Sequence, residues 1–221
     1  REKYSCKIAM PACEAMICSS MINLKLYYNT LSMTEITEHL GHMVCPVDFP
    51  IADEQTSIKM HGIEFKILHT PGHSTAHICL FTPDDVAYIG DALISHNVMN
   101  GAKMPYASIL SEDLKSKEKL YGLKYSKYVI AHKGIYEDIN ELIRDNINFY
   151  QLRAEKICEL IVKPMTLQEL MQKVIASFNI HVVTVYKYNL IEKMLRSYLE
   201  YLDEQQRIKL VMIDGLLKYA K

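Results

Sequence analysis

What the sequence lacks narrows its class before any motif is read. No window approaches the run of about 20 apolar residues that a membrane-spanning helix requires. No succession of charged, apolar and small residues marks a secretory signal. Charge of one sign is missing as well: 25 Lys and Arg stand against 26 Asp and Glu, a formal net charge of −1, which gives no global pull toward nucleic acid or a membrane surface. The 6 Cys include no CxxC pair, and Cys18, Cys79 and Cys158 sit among apolar residues. That pattern speaks for buried, reduced thiols in a cytoplasmic protein. There is no HxH pair, and the first residue is Arg1 rather than Met. What is present is apolar bulk: 49% of the 221 residues, enough for a sizeable core in one large or two modest domains.

The chemistry concentrates in the stretch from Ile63 to Asp91. Ile63, Phe65 and Ile67 alternate with Glu64, Lys66 and Leu68, the period of a strand with one buried face. That strand runs into His69-Thr-Pro-Gly-His73, where Pro71 and Gly72 force a tight loop. His77 to Phe81 reads as a second strand, residues 82–85 as a turn, and Val86 to Ile89 as a third strand ending at Gly90-Asp91. Two neighbouring strand ends thereby present an imidazole and a carboxylate side by side, a natural place for a metal.

These residues carry a resemblance. HTPGHS followed after a hairpin by YIGDALIS is similar to the third and fourth motifs of the metallo-β-lactamase superfamily, the αββα hydrolases that include glyoxalase II and metal-dependent nucleases. Tyr128-Val-Ile-Ala-His132 resembles the family's last ligand motif, a strand ending in His. The resemblance covers roughly residues 4–145 and implies His73, Asp91 and His132 as metal ligands, at intervals of 18 and then 41 residues. Asp91 and His73 are then also the catalytic pair. It implies two divalent metals, Zn foremost, whose bridging hydroxide attacks a carbonyl or a phosphorus. The substrate class stays open among esters, thioesters, lactones, β-lactams and phosphodiesters, so a small ester-like molecule and RNA are both admissible.

One departure stands beside the match. The family's leading HxHxDH signature, with three further ligands, is absent; His39-Leu-Gly-His42 has the wrong spacing. Either an upstream segment is missing or the site is degenerate, and the absent Met favours the first. This chain is therefore expected to bind one metal or none, and to be inactive as it stands. The other histidines fill supporting places. His69 is expected to orient or pack, since the loop can point only one imidazole inward. His77 begins the outgoing strand and reads as core or surface, without being ruled out as a substitute ligand. The long segment Ala92 to Ile109 borders the substrate cleft in the resembled family, making His96, Met104 and Tyr106 candidate substrate contacts, although a surface role is favoured for each.

The remaining chain frames these motifs. Residues 6–10 read as a strand, Ala12 to Leu24 as one helix, and Ser32-Met-Thr-Glu35 as a capping box. Ser111 is expected to cap a helix closed by Gly122. From Glu137 apolar residues keep helical spacing as far as Pro164. Two more helices and an Asp214-Gly215 hairpin follow. We therefore expect an α/β metallo-β-lactamase-like αββα sandwich over residues 1–147 and a winged-helix-like module over residues 148–221. Residues 151–221 hold 11 Lys and Arg against 8 Asp and Glu, too few in excess for a dedicated DNA binder. Packing or cleft shaping is the expected role of that module. Oligomeric state is open, a homodimer included. The readings that compete are a hydrolase, an inactive relative that binds or regulates, and a ribonuclease-like nucleic-acid protein.

Overall fold

The computed structural model describes residues 3–132 and 134–221. It begins with a short strand, Ala9–Pro11 (β1), leading into helices Ala12–Ile17 (α1) and Met21–Tyr27 (α2). The single helix expected from Ala12 to Leu24 is thus two. Ser20 takes extended backbone, and its hydroxyl accepts from the Asn23 N–H at 3.1 Å, which caps a fresh helix instead of continuing the first. The Ser32 capping box forms as expected and opens the single turn Met33–Glu35 (α3). Leu24, Leu31, Ile36 and Leu40 gather with Ile17 into a small core of their own. Strand Phe49–Ile51 (β2) returns to pair in parallel with β1.

The main sheet has six strands in sequence order: Ser57–Met60 (β3), Ile63–His69 (β4), Ile78–Phe81 (β5), Val86–Gly90 (β6), Lys127–Ile130 (β7) and Gly134–Tyr136 (β8). Only β6 and β7 run parallel within it, as the intervening crossover requires. His61 and Gly62 both lie at positive φ, 51° and 83°, so β3 and β4 are joined by a two-residue hairpin of the type I′ class. The register puts Cys79, Phe81, Ala87, Ile89, Tyr128 and Ile130 on one face, all buried. On the other face Ile67, Leu80, Tyr88, Val129 and Ile135 follow one another from strand to strand; Ile67 is buried and the others are half-buried or exposed.

Helices cover the buried face. His96–Gly101 (α4) lies in the segment that reads as irregular, capped by Ser95, whose hydroxyl accepts from the Val98 N–H. Leu110–Glu118 (α5) starts one residue before the expected cap Ser111; the Leu110 N–H donates instead to Ser197 Oγ at 3.0 Å, a partner far away in sequence. Asn140–Leu160 (α6) is one unbroken helix of 21 residues ending short of Pro164. Leu167–Ser177 (α7), with the Thr166–Glu169 capping box, and Val185–Glu204 (α8) complete the set. Strands Lys209–Ile213 (β9) and Leu216–Ala220 (β10) form the closing hairpin around Asp214-Gly215. Three helices and a hairpin therefore stand in the expected order. Their apolar side chains join those of the sheet in one continuous cluster running from Cys79 to Tyr219. Among the described residues no helix is long and apolar enough to cross a membrane.

Candidate active site

The HTPGH loop is held against α5 by backbone geometry. Gly72 has φ +134°, and a Cβ placed on it would lie 2.1 Å from Asp113 Cα. Only glycine permits that approach. The Gly72 carbonyl accepts from the Ser108 and Ile109 N–H groups at 2.7 and 3.0 Å, and Ser116 Oγ donates to the Pro71 carbonyl at 2.7 Å. The loop is thereby fixed from three sides, and its last residue, His73, is turned inward. Burial holds the His73 imidazole below its ordinary pKa, an effect partly offset by the Asp91 and Asp113 carboxylates. Its Nδ1 is buried with no hydrogen-bond partner among the described residues.

His77 plays a different part. Its Nε2 accepts from the Asp91 N–H at 3.1 Å, so Nδ1 bears the proton and donates to Thr70 Oγ1 at 2.8 Å. Both nitrogens are thus engaged, and burial pushes its pKa down to about 4. The ring pins the backbone of Asp91 to the start of β5. Gly90, at φ +60°, leaves room for it: a Cβ there would meet His77 Nε2 at 2.9 Å. These two bonds close the opening for His77 as a substitute ligand. His69 likewise is committed, with Nε2 2.8 Å from the Gln55 carbonyl. His96 lies at the surface in a 2.9 Å contact with Asp145.

Asp91 and His132 meet: His132 Nε2 is 3.4 Å from Asp91 Oδ1. β7 ends at Ile130, and His132 adopts left-handed backbone, φ 56°. That conformation is sparsely populated by non-glycine residues and is often retained at functional sites. The side chain is 74% exposed, whereas that of Asp91 is 31% exposed. The segment that follows Asp91 is braced by Asn146 of α6, whose side-chain amide accepts from the Ile94 N–H and donates to the Ile94 carbonyl, both at 2.9 Å.

His73, Asp91 and His132 border one cavity of about 450 Å³. The rest of its wall is mostly apolar and aromatic: Ile94, Val98, Met104 and Tyr106 from the segment between β6 and α5, Tyr150 from α6, Tyr28 and Leu40 from the small core, and Tyr186, Leu190 and Met194 from α8. Tyr106 and Met104 thus lie in the cavity wall rather than in the surface role that the sequence favours. Tyr106 stands edge-on to His73 with ring centroids 5.2 Å apart. The C-terminal helices set the position of this wall. Tyr150 Oη donates to the Tyr106 carbonyl at 3.1 Å and Tyr198 Oη to the Pro105 carbonyl at 3.2 Å. The sequence reading expected packing or cleft shaping from this module but did not single out these α8 residues. Their signal was there, since Tyr186, Leu190 and Met194 recur every fourth residue on one helical face.

Two buried cations stand behind the wall. Lys117 pairs with Asp113 one helical turn away, both 1% exposed, and its ammonium lies 4.5 Å from the Tyr150 ring centroid. Burial drives the amine below and the carboxyl above their ordinary pKa values, and the partner's charge opposes each shift. Lys193 of α8 has no carboxylate partner among the described residues. Its Nζ is buried without a hydrogen bond and stands over the rings of Tyr27 at 3.7 Å, Tyr28 at 4.2 Å and Tyr106 at 5.9 Å.

The donors can be tested against a metal. An imidazole nitrogen without a partner, a carboxylate and a second imidazole are the right chemistry for Zn. They are too few and too spread out, however: among the described residues no group of three or more His, Cys, Asp or Glu is gathered closely enough to hold an ion. A complete metal centre therefore does not fit these residues alone.

The comparisons with known proteins agree with one another. The family model for the metallo-beta-lactamase superfamily matches residues 23–132. The chain is similar to the Beta-lactamase-like protein 2 homolog of Drosophila melanogaster, 27% identical over 131 residues, covering 54% of this chain and 41% of that protein. It is also similar to the Lactamase-like protein aptB of Emericella nidulans, 22% identical over 106 residues, covering 47% of this chain and 32% of that one. The matches thus span less than half the length of either relative. Among solved structures, a metallo-beta-lactamase family protein from Thermus thermophilus covers 100% of this chain and 73% of its own, with TM-score 0.66 and 20% identity. A beta-lactamase domain protein from Burkholderia ambifaria gives TM-score 0.67 at 15% identity, covering 97% of this chain and 64% of its own. At such identities the two structures attest the fold alone.

Proposed function

Because the chain belongs to the metallo-beta-lactamase superfamily, we propose that the cavity bordered by His73, Asp91 and His132 is the substrate-facing part of a metal-dependent hydrolase site. Its substrate is an ester, thioester or phosphodiester. The observation that carries this reading is the buried, unpartnered Nδ1 of His73. A desolvated ring nitrogen with nothing to bond calls for a ligand from outside the chain. His77 supports it by locking the backbone of Asp91, and the left-handed His132 supports it by bringing an imidazole to the same carboxylate.

The 221 residues by themselves hold at most one divalent cation, weakly, and show no appreciable hydrolysis, because each missing ligand must be replaced by water. The lack of a three-ligand group among the described residues also favours a second reading, a relative that binds without turning over. Titration calorimetry of the 221-residue protein with Zn²⁺ and with Mn²⁺, together with an ester, thioester and RNA panel, separates the two. One weak equivalent that disappears in His73→Ala, with an unchanged melting curve, is the expected result. No cation binding at all overturns the metal reading in favour of the binding protein. Two equivalents that survive dialysis mean that residues beyond this trio complete the centre.

A further inference from the structure

Behind the cavity wall Lys193 holds a buried amine that no hydrogen bond to a described residue uses. It belongs to the face of α8 that carries Leu190 and Met194, both of which line the cavity, and it sits behind two further lining residues, Tyr28 and Tyr106. A strut between α8 and α2 needs only apolar atoms, and the neighbouring positions supply them. An ammonium here is stripped of water, which is costly without a compensating anion. The three tyrosine faces return part of that cost through their quadrupoles, but they offer no acceptor for its N–H groups. No described residue supplies one. The Glu14 carboxylate makes no hydrogen bond to the amine, and its Oε1 accepts instead from the Ala76 N–H at 3.0 Å. Buried donors left without acceptors call for a partner, and two of the three rings that cover this amine, Tyr28 and Tyr106, line the cavity.

We propose that Lys193 is an anion anchor that makes the cavity selective for substrates bearing a carboxylate or phosphate beside the bond to be cleaved. The anion reaches Nζ by a rotation of the Tyr28 or Tyr106 side chain and completes the cage that the tyrosines leave open. The apolar wall takes up the substrate's hydrocarbon part, while His73, Asp91 and His132 face the scissile group. This assignment rests on the reading of the cavity as a substrate site.

The test uses binding rather than turnover. Calorimetry measures 2-naphthoate and its neutral isostere 2-naphthamide on the 221-residue protein, on Lys193→Met and on Lys193→Arg. A preference of about tenfold for the naphthoate is expected in the wild type, the scale of one charge-assisted hydrogen bond. It should vanish in Lys193→Met with naphthamide affinity unchanged, and persist in Lys193→Arg. The ¹⁵Nζ resonance of Lys193 should shift on addition of naphthoate and not of naphthamide. Equal affinity of the wild type for both probes overturns the anchor whether or not a variant folds, and leaves the cavity a ligand site. A preference retained in Lys193→Met overturns it too. Absence of binding by either probe overturns the cavity reading along with it.

Discussion

Gly72→Ala is the substitution that most directly tests how the HTPGH loop is seated. At φ +134° an added Cβ would lie 2.1 Å from Asp113 Cα and 2.2 Å from Asp113 N, against backbone that cannot swing aside as a flexible side chain would. Two costs follow. The disfavoured backbone conformation costs about 1–3 kcal/mol for a residue with a side chain, and overpacking a filled interface adds about 1–3 kcal/mol. The sum, roughly 2–6 kcal/mol, corresponds to a fall in melting temperature of roughly 5–20 °C for a chain of this size. Gly122→Ala supplies the control: φ is +78° there, and nothing lies within 4 Å of the added carbon, so only the backbone cost applies, about 1–2 kcal/mol. Urea denaturation of both variants, followed by circular dichroism, gives the difference. Since the Gly72 carbonyl accepts from the Ser108 and Ile109 N–H groups, the ¹H–¹⁵N NMR spectrum of Gly72→Ala should also show those amides moved. If the two variants agree within about 0.5 kcal/mol, the usual error of such comparisons, the close approach of the loop to α5 is wrong.

The buried Asp113–Lys117 pair should behave as a unit. Asp113→Leu or Lys117→Met alone is expected to cost about 3–5 kcal/mol by leaving one charge unmatched, whereas the two together should recover most of it; strictly additive losses in this double-mutant cycle would show that the two do not interact. Lys193 should make stability depend on alkaline pH. Burial brings its folded pKa down to about 8 from an ordinary 10.5, so the unfolded chain holds the extra proton between those values and stability rises with pH across that window. The penalty, about 3 kcal/mol below pH 8 by the usual conversion, should be gone above 10.5. Urea midpoints of the wild type measured relative to Lys193→Met from pH 7 to 10.5 read this directly, and a gap that stays constant with pH refutes it.

The local pattern of the sequence determined the strands, the turns and the order of the motifs. Period-two alternation made β4, the His61-Gly62 and Asp214-Gly215 pairs made hairpins, and the Ser32 and Thr166 capping boxes opened helices. Each of these depends on residues within a few positions of one another, so nothing distant could overrule them. Where distant partners intervene, the sequence was silent or misleading. The helix read from Ser111 starts earlier because Ser197 of α8 caps Leu110, and the segment after Asp91 is ordered by Asn146 of α6. Tertiary packing also decided which histidines are free. His69, His77 and His96 look alike in sequence, yet each is committed to a partner: a backbone carbonyl, a threonine and a peptide N–H, and a surface carboxylate. His73 alone among the described loop and strand histidines keeps a buried nitrogen unused. The lysine behind the cavity wall was invisible for the same reason. Its meaning lies in tyrosines 27, 28 and 106, drawn from two distant stretches of chain, and only the fold brings them to one amine.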